Sequence, residues 1–232
     1  MTIPAMSRRS FVQRQLELAG ANFAQVGDTL VAADFGNAAA EAERARSLGL
    51  ADLSPLPRCG FKGRGTLEWL GAHGIQTRAD PNRAFAQADG ALVAMLSWSE
   101  ALILDDPLSG NGPSAWLAGA WSLDDAPGCY ALERRDSHYW FVVCGARAAE
   151  SLSKLCAVDL RPAMFDMGRI AQTTLARSNA IVIRADIGGT LAYYVLGDCA
   201  SAEYVWDSLL DAMQEFDGQP AGIGALGRLK QR

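Results

Sequence analysis

The groups in this 232-residue chain that could do chemistry are two histidines, five cysteines and 26 carboxylates, and their spacing decides which reactions are open. Asp136-Ser137-His138 offers the residue types of a nucleophile, a base and an acid. Adjacent residues on a strand point to opposite faces, so Ser137 and His138 could not bond each other there, and the triplet reads as the hydrophilic tip of a hairpin. His73 ends a helix before Gly74, where an imidazole suits the dipole. Two histidines without paired spacing do not make a zinc or iron site. Cys59, Cys129, Cys144, Cys156 and Cys199 form no CxxC pair, and five scattered thiols read as small buried hydrophobes of a reducing cytoplasm.

Carboxylates cluster at Asp105-Asp106 and Asp124-Asp125, each pair beside Pro or Gly. They read as solvated turn residues, with no partner in sequence that would tune one for acid–base work. Gly60-Phe61-Lys62-Gly63-Arg64-Gly65 sits between a strand and a helix, where backbone N–H groups can meet an anion. Its order matches neither the P-loop nor the dinucleotide fingerprint, so it reads as a tight strand-to-helix turn. No catalytic set and no metal site follows from these residues. Trp98, Trp116, Trp121, Trp140 and Trp206 sit mostly in apolar surroundings and read as core or as an interface with another protein.

The elements that must position these groups belong to an ordinary folded chain, 50% hydrophobic and 20% charged. A chain of this size buries roughly 70% of its unfolded surface. The formal charge of −5 gives no basic field for nucleic acid or an anionic membrane. No apolar run approaches the ~20 residues that span a bilayer. Ser7-Arg8-Arg9-Ser10-Phe11-Val12 looks like a twin-arginine export signal, but Gln13, Arg14, Gln15 and Glu17 interrupt the apolar run such a signal needs. The segment reads as the start of an amphipathic helix, and the chain as cytoplasmic.

In order, the pattern predicts a short helix over 11–19 and a hairpin around Val26-Gly27-Asp28. A helix capped by Asn37 runs through Arg46, and Pro55 and Pro57 make Leu50–Phe61 an irregular or edge strand. A helix over Thr66–His73, a loop over Asp80–Asp89 and strands over Ala91–Leu96 and Ala101–Leu104 follow. Asp105–Pro113, rich in Gly, Pro and Asn, is the expected seam, with a short helix at Ser114–Ala120 beyond it. The second half reads as strands at Cys129–Arg134 and His138–Cys144, a helix at Ala146–Cys156, strands at Ile170–Arg184 and Thr190–Leu196, and a final helix. In that helix Ala202, Val205, Trp206, Leu209, Leu210, Met213 and Phe216 share one stripe. The loose recurrence of β-β-α-β-β-α predicts an α+β fold: two related lobes of mainly antiparallel sheet with helices on one face, residues 1–110 and 111–232, or one composite domain.

The run LCAVDLRP (155–162), then GRIAQTTLAR (168–177) and NAIVIR (179–184), resembles the gamma subunit of heterotetrameric sarcosine oxidase and its homologues. SAEYVWDSLLDAMQEF (201–216) is similar to that family's C-terminal helix, and LADLS (50–54) with GFKGRGTLEWL (60–70) to the opening of the wider glycine-cleavage T-protein superfamily. The resemblance implies the T-protein-like folate-binding fold and a place in an assembly that oxidatively demethylates sarcosine with FAD, FMN, NAD and tetrahydrofolate. It further implies that the flavin and NAD cofactors sit in larger partner subunits, while this chain is a non-catalytic gamma-type subunit. The alternative is a stand-alone folate-binding or aminomethyltransferase-like protein of one-carbon metabolism, or one that self-associates. If a folate pocket survives in this chain, Arg169, Gln172 and Thr173 are the polar residues expected to line it. The T-protein catalytic aspartate does not align with Asp105 or Asp106, and no barrel domain follows the last predicted helix, which puts direct aminomethyl transfer in doubt.

Overall fold

The computed structural model describes residues 7–110 and 112–231. Contacts divide the chain into two compact units that interleave along the sequence. The first takes in the residues through Pro55, His138–Met167 and those from Ala171 onward; the second takes in Leu56–Ser137 and Gly168–Ile170. The expected seam at Asp105–Pro113 falls inside the second unit, because Asp105 accepts hydrogen bonds from Ser114 N (3.0 Å) and Ser114 Oγ (2.6 Å) across that glycine- and proline-rich loop.

The first unit begins with α1 (Gln13–Leu18) and the hairpin β1 (Asn22–Val26) and β2 (Thr29–Asp34), then α2 (Ala38–Leu48) and β3 (Gly49–Asp52). Asn37 caps α2 as its sequence predicts, accepting from Ala39 N and Ala40 N at 3.0 and 3.1 Å. Buried Glu41 closes the same turn: one carboxylate oxygen accepts from Phe35 N (2.7 Å) and Asn37 N (3.2 Å), the other from Gly222 N (3.0 Å).

The second unit carries β4 (Arg58–Lys62), α3 (Thr66–Ala72), β5 (Arg83–Ala86), β6 (Leu92–Ser97), β7 (Glu100–Leu104), α4 (Pro113–Ala120) and β8 (Tyr130–Leu132). The chain then returns to the first unit with β9 (His138–Cys144), α5 (Ala148–Ser153), β10 (Ile170–Leu175), β11 (Ser178–Arg184), β12 (Ala192–Asp198), α6 (Ala202–Met213), β13 (Gln219–Pro220) and α7 (Ile223–Lys230).

The sheet orders are β10-β11-β12-β9-β3-β13 and β5-β6-β7-β4-β8. The repeat loosely visible in sequence is therefore a repeat in topology. Strand, helix, three strands and helix recur as β4-α3-β5-β6-β7-α4 and β9-α5-β10-β11-β12-α6, and each time the first strand lies beside the last strand of the meander. In the first unit Tyr139, Phe141 and Val143 of β9 bury against Leu152 of α5 and Val205, Trp206 and Leu209 of α6. In the second, Phe61, Val93, Met95 and Ile103 pack with Trp69 and Leu70 of α3 and Leu117 of α4. This is the predicted α+β architecture of mainly antiparallel sheets with helices packed against them.

Several expectations are corrected. Ile170–Arg184 is not one strand but the pair β10 and β11, turned at Ala176 and Arg177, both left-handed (φ 48° and 64°). Consecutive positive φ values make a type I′ turn, and without Asn or Gly there the sequence hides it. Leu50–Phe61 is two strands with Pro55 and Pro57 in the connector, and neither β3 nor β4 is an edge. The predicted loop Asp80–Asp89 contains β5, and α7 follows the helix that reads as the last. The predicted helix Ala146–Cys156 shrinks to α5. Ser201 does not cap α6 with its side chain, which donates instead to Asp198 O (2.9 Å). Among the described residues, no helix is long and apolar enough to cross a membrane.

Both first strands end on the same elbow. Gly63 (φ 130°) and Gly145 (φ 113°) direct the chain into α3 and α5. A Cβ on Gly63 would stand 2.0 Å from Gly128 O, and one on Gly145 would stand 2.4 Å from Ser47 O. Gly145→Ala is expected to cost more than ~3 kcal/mol in chemical denaturation, from the left-handed backbone plus overlap with a carbonyl that has nowhere to go. Gly119→Ala in α4, where a Cβ meets nothing within 4 Å, is expected to stabilise by ~0.5–1 kcal/mol.

Candidate functional site

The strand ends of β9, β10, β11 and β12 in the first unit enclose an open cleft of about 650 Å³. His138 and Asp198 face each other in the antiparallel register of β9 and β12, as do Leu196 and Trp140; Ile181 of β11 pairs with Leu196. Tyr139, Ala180 and Leu175 bury into the helix-covered core. Strand alternation therefore puts His138, Gln172, Thr174, Asn179, Ile181, Leu196 and Asp198 on the opposite face, and all of them line the cleft. The arrangement is two amides, a hydroxyl, an imidazole and a carboxylate around an apolar floor of Ile181 and Leu196. Such a surface can orient a small polar molecule through donors and acceptors of both kinds.

The carboxylate of Asp198 also accepts from Ala200 N at 2.9 Å, which fixes it at the start of the turn into α6. Within the core of this unit lies the buried Tyr139 hydroxyl, which makes no hydrogen bond among the described residues; desolvation pushes its ionisation well up.

Of the three residues expected to line a pocket, the structure brings together two. Gln172 and Thr173 both border the cleft, Gln172 exposed and Thr173 half-buried. Arg169 is assigned to the second unit, where its backbone bridges to Arg83 beside β5. Sequence reasoning missed Thr174, Asn179 and Asp198 and treated His138 only as part of a turn. Strand alternation would have found them once the turn at Ala176-Arg177 split the long predicted strand.

The other sequence candidates are structural. Ser137 Oγ donates to Glu133 O at 2.6 Å. In the glycine loop Gly60–Gly65, Gly63 N donates to Ser99 O (2.8 Å) and Gly65 N to Gly128 O (3.0 Å), as in a packed turn. Asp125 accepts from Ser122 Oγ (2.6 Å) and Asp106 from Leu108 N (3.1 Å). The five cysteines are free thiols. Burial pushes Cys144 up to about 12 and raises Cys59 and Cys129 as well, so these three are protonated rather than nucleophilic. Among the described residues, no group of three or more His, Cys, Asp or Glu side chains is placed to hold a metal ion.

Against known proteins, residues 89–231 match the family model described as the GCVT N-terminal domain. The chain is 25% identical to an aminomethyltransferase of Mycobacterium leprae over 240 aligned residues, covering 98% of this chain and 63% of the relative. Over 107 residues it is 31% identical to the aminomethyltransferase of Acidobacterium capsulatum, covering 44% of this chain and 27% of that one. It therefore spans less than two thirds of the length of these relatives. The fold matches the glycine cleavage system aminomethyltransferase T of Bartonella henselae with a TM-score of 0.72 at 15% identity, over 96% of this chain and 62% of that one. It also matches a chain of the heterotetrameric sarcosine oxidase of Corynebacterium sp. U-96, solved with pyrrole 2-carboxylate, with a TM-score of 0.64 at 21% identity, over 90% of this chain and 96% of that one.

The buried carboxyl of Asp105 tests how polar groups are used here. Desolvation raises its pKa, opposed by the two bonds from Ser114. A carboxyl raised in the folded state stabilises the fold in acid, and that contribution is lost as pH rises through the folded pKa. The thermal stability of Asp105→Asn relative to the parent should therefore increase from about pH 4 to about pH 7 in unfolding scans. A flat difference would mean that the carboxyl titrates as it does in the unfolded chain.

Proposed function

The chain belongs to the GCVT N-terminal domain family, and from that premise we propose that it is a gamma-type, non-catalytic subunit of a heteromeric, sarcosine-oxidase-like amine demethylase. The observation that carries this reading is the fold likeness to one chain of the heterotetrameric sarcosine oxidase, with a TM-score of 0.64 over 90% of this chain. On this reading FAD, FMN and NAD belong to larger partner chains, the assembly works in the cytoplasm, and this chain contributes surface rather than turnover. The structural uses found for Ser137, Asp105, Asp106 and the Gly60–Gly65 loop support the reading, because they leave none of these groups positioned for acyl or aminomethyl transfer.

A second reading is favoured by the cleft: a stand-alone folate-binding or aminomethyltransferase-like protein. Gln172 and Thr173 would supply polar contacts to tetrahydrofolate, the amide and hydroxyl groups meeting the ligand's nitrogen-rich edge while Ile181 and Leu196 pack on its ring.

Two measurements separate the readings. Mass photometry of the full chain mixed with the larger flavin-bearing chains of a sarcosine-oxidase-like complex should show a stoichiometric complex whose flavin absorbance stays with the larger chains. A chain that ignores them and transfers a one-carbon unit to tetrahydrofolate unaided would overturn the first reading. Calorimetric titration of the isolated chain with tetrahydrofolate should show binding at about micromolar Kd on the second reading only. In that case Gln172→Ala should weaken it by about tenfold, the scale of one lost hydrogen bond to a buried ligand group.

A further inference from the structure

At the open end of the first unit's larger sheet, polar side chains line up in a single rung across four strands. Asp198 faces His138 in the pairing of β12 with β9. One residue out from the Ala180–Gly197 pair, Asn179 of β11 stands opposite Asp198 on its other flank. The two-residue turn at Ala176-Arg177 sets Thr174 of β10 opposite Asn179. Hydroxyl, amide, carboxylate and imidazole thus follow one another over roughly 14 Å, at strand spacings of about 4.8 Å. Ile181 and Leu196 form the apolar floor one rung inward on the same face.

Asp198 is only half committed to the fold. Its Oδ1 accepts from Ala200 N at 2.9 Å, which holds the carboxylate at the turn into α6. Its Oδ2 has no hydrogen bond or ion pair among the described residues, and neither has the side chain of Asn179 or of Thr174. The charges around the rung are of both signs, and their placement separates them. Asp198 lies in the cleft lining, which contains no lysine or arginine. Arg177 is exposed in the turn just beyond Thr174 and Asn179, outside the lining, and opposes the carboxylate. Arg184, toward the far end of β11, is paired with Asp186, and Glu203 belongs to α6 on the helix-covered face. Arg135 and Asp136, which precede His138 in the chain, are of opposite sign. A cation that also carries N–H groups and an alkyl chain is the ligand that uses the open carboxylate oxygen, the neighbouring amide and the floor together.

We propose that this rung binds a small primary or secondary alkylammonium ion, which donates N–H bonds to Asp198 Oδ2 and the Asn179 side-chain oxygen and lays its alkyl chain on Ile181 and Leu196. Directly opposed side chains stand about 5 Å apart across a strand pair, so a single nitrogen between them reaches both oxygens at about 2.9 Å. Arg177 works against the cation and one half-exposed ion pair contributes little, which sets the Kd at about millimolar. The site needs neither a partner chain nor tetrahydrofolate. It goes beyond both readings above and fails or stands apart from the gamma-type one.

The test is an NMR shift titration of the full chain with N-methylbutylammonium chloride, set against sodium butanoate and against tetramethylammonium chloride, which has no N–H to donate. Saturable shifts centred on the Asn179 and Asp198 amides are expected with the first ligand only. Asp198→Asn keeps the bond from Ala200 N, since asparagine caps as aspartate does, and should weaken binding by at least about tenfold. Arg177→Gln should tighten it about twofold. Dimethylammonium should bind about tenfold more weakly than N-methylbutylammonium, the scale of part-burying the extra methylenes, and Ile181→Thr should narrow that difference. Shifts that rise without saturating, or that scatter over other surface carboxylates, mean an adventitious additive only and overturn the site. A Kd unchanged by Asp198→Asn at an unaltered unfolding midpoint overturns it too, as does butanoate binding that is tighter and lost with Arg177→Gln. If tetrahydrofolate shifts these amides and the alkylammonium does not, the cleft is the folate site and this proposal falls. Complex formation with the larger chains is read separately by mass photometry, so either result there leaves this outcome intact.

Discussion

The fold depends on a close backbone approach made twice. At Gly63 and Gly145 a carbonyl from another segment, Gly128 or Ser47, occupies the space a side chain would need. Ala146 N and Arg147 N then donate to Arg46 O and Ser47 O at 2.8 and 2.9 Å, and Gly65 N donates to Gly128 O at 3.0 Å. Each elbow turns a strand into the helix that covers its own sheet. It also holds that strand beside the last strand of the meander, which is why both sheets share an order the chain path alone would not require. Removing the contact would take these N–H groups from their backbone partners as well as straining the turn.

Charged residues in the interior act as staples between segments far apart in sequence. Glu41 joins the start of α2 to Gly222, 181 residues away. Buried Arg58 donates to Leu56 O, Arg134 O and Arg135 O, and Arg184 pairs with Asp186 while donating to Pro162 O and Phe165 O. Hydrogen bonds to ionised groups contribute ~1.5–3 kcal/mol each, so these few residues fix loops that apolar packing alone would leave mobile. They are also why a search for reactive residue types in the sequence returns structural ones. Ionisable groups in this chain are largely committed to closing the backbone.

Local signals were legible where they are strong. The apolar stripe of α6, the Asn37 cap and the strand His138–Cys144 all follow from neighbours within a few residues. Features set by distant contacts were not legible. The Ala176-Arg177 turn carries no turn residue and is held by the hydrogen bond from Ala176 N to Leu155 O at 3.0 Å. The four residues of β5 are framed by polar loop chemistry and become a strand by pairing with β6 and with Gly168 O. The interleaving of the two units depends on pairing between β3 and β9, some ninety residues apart, which no local pattern reports. The cleft follows the same rule. Gln172 and Thr173 could be named from their type, but Asn179 and Asp198 join them only through register.

The repeat makes the two units a comparison in which topology is held fixed. The elbow closes one end of β4 and of β9; the opposite ends show what each unit does with its polar groups. In the second unit that end carries Arg58, opposite Leu104, with Asp105 next along β7's path. Arg58 is saturated by backbone carbonyls and Asp105 by Ser114, so both charges are consumed internally. In the first unit the corresponding end, Trp140 opposite Leu196, runs on by two further pairs to Gly197 and Asp198 against Tyr139 and His138. Those two extra pairs carry the strands past the core and leave imidazole, carboxylate and amides at the mouth of an open cleft. One copy of the repeat has thus turned its polar end inward and presents aromatic side chains at its elbow end, while the other keeps its polar end open to solvent. The longer strands of the first unit are what make it the half able to hold a small polar ligand.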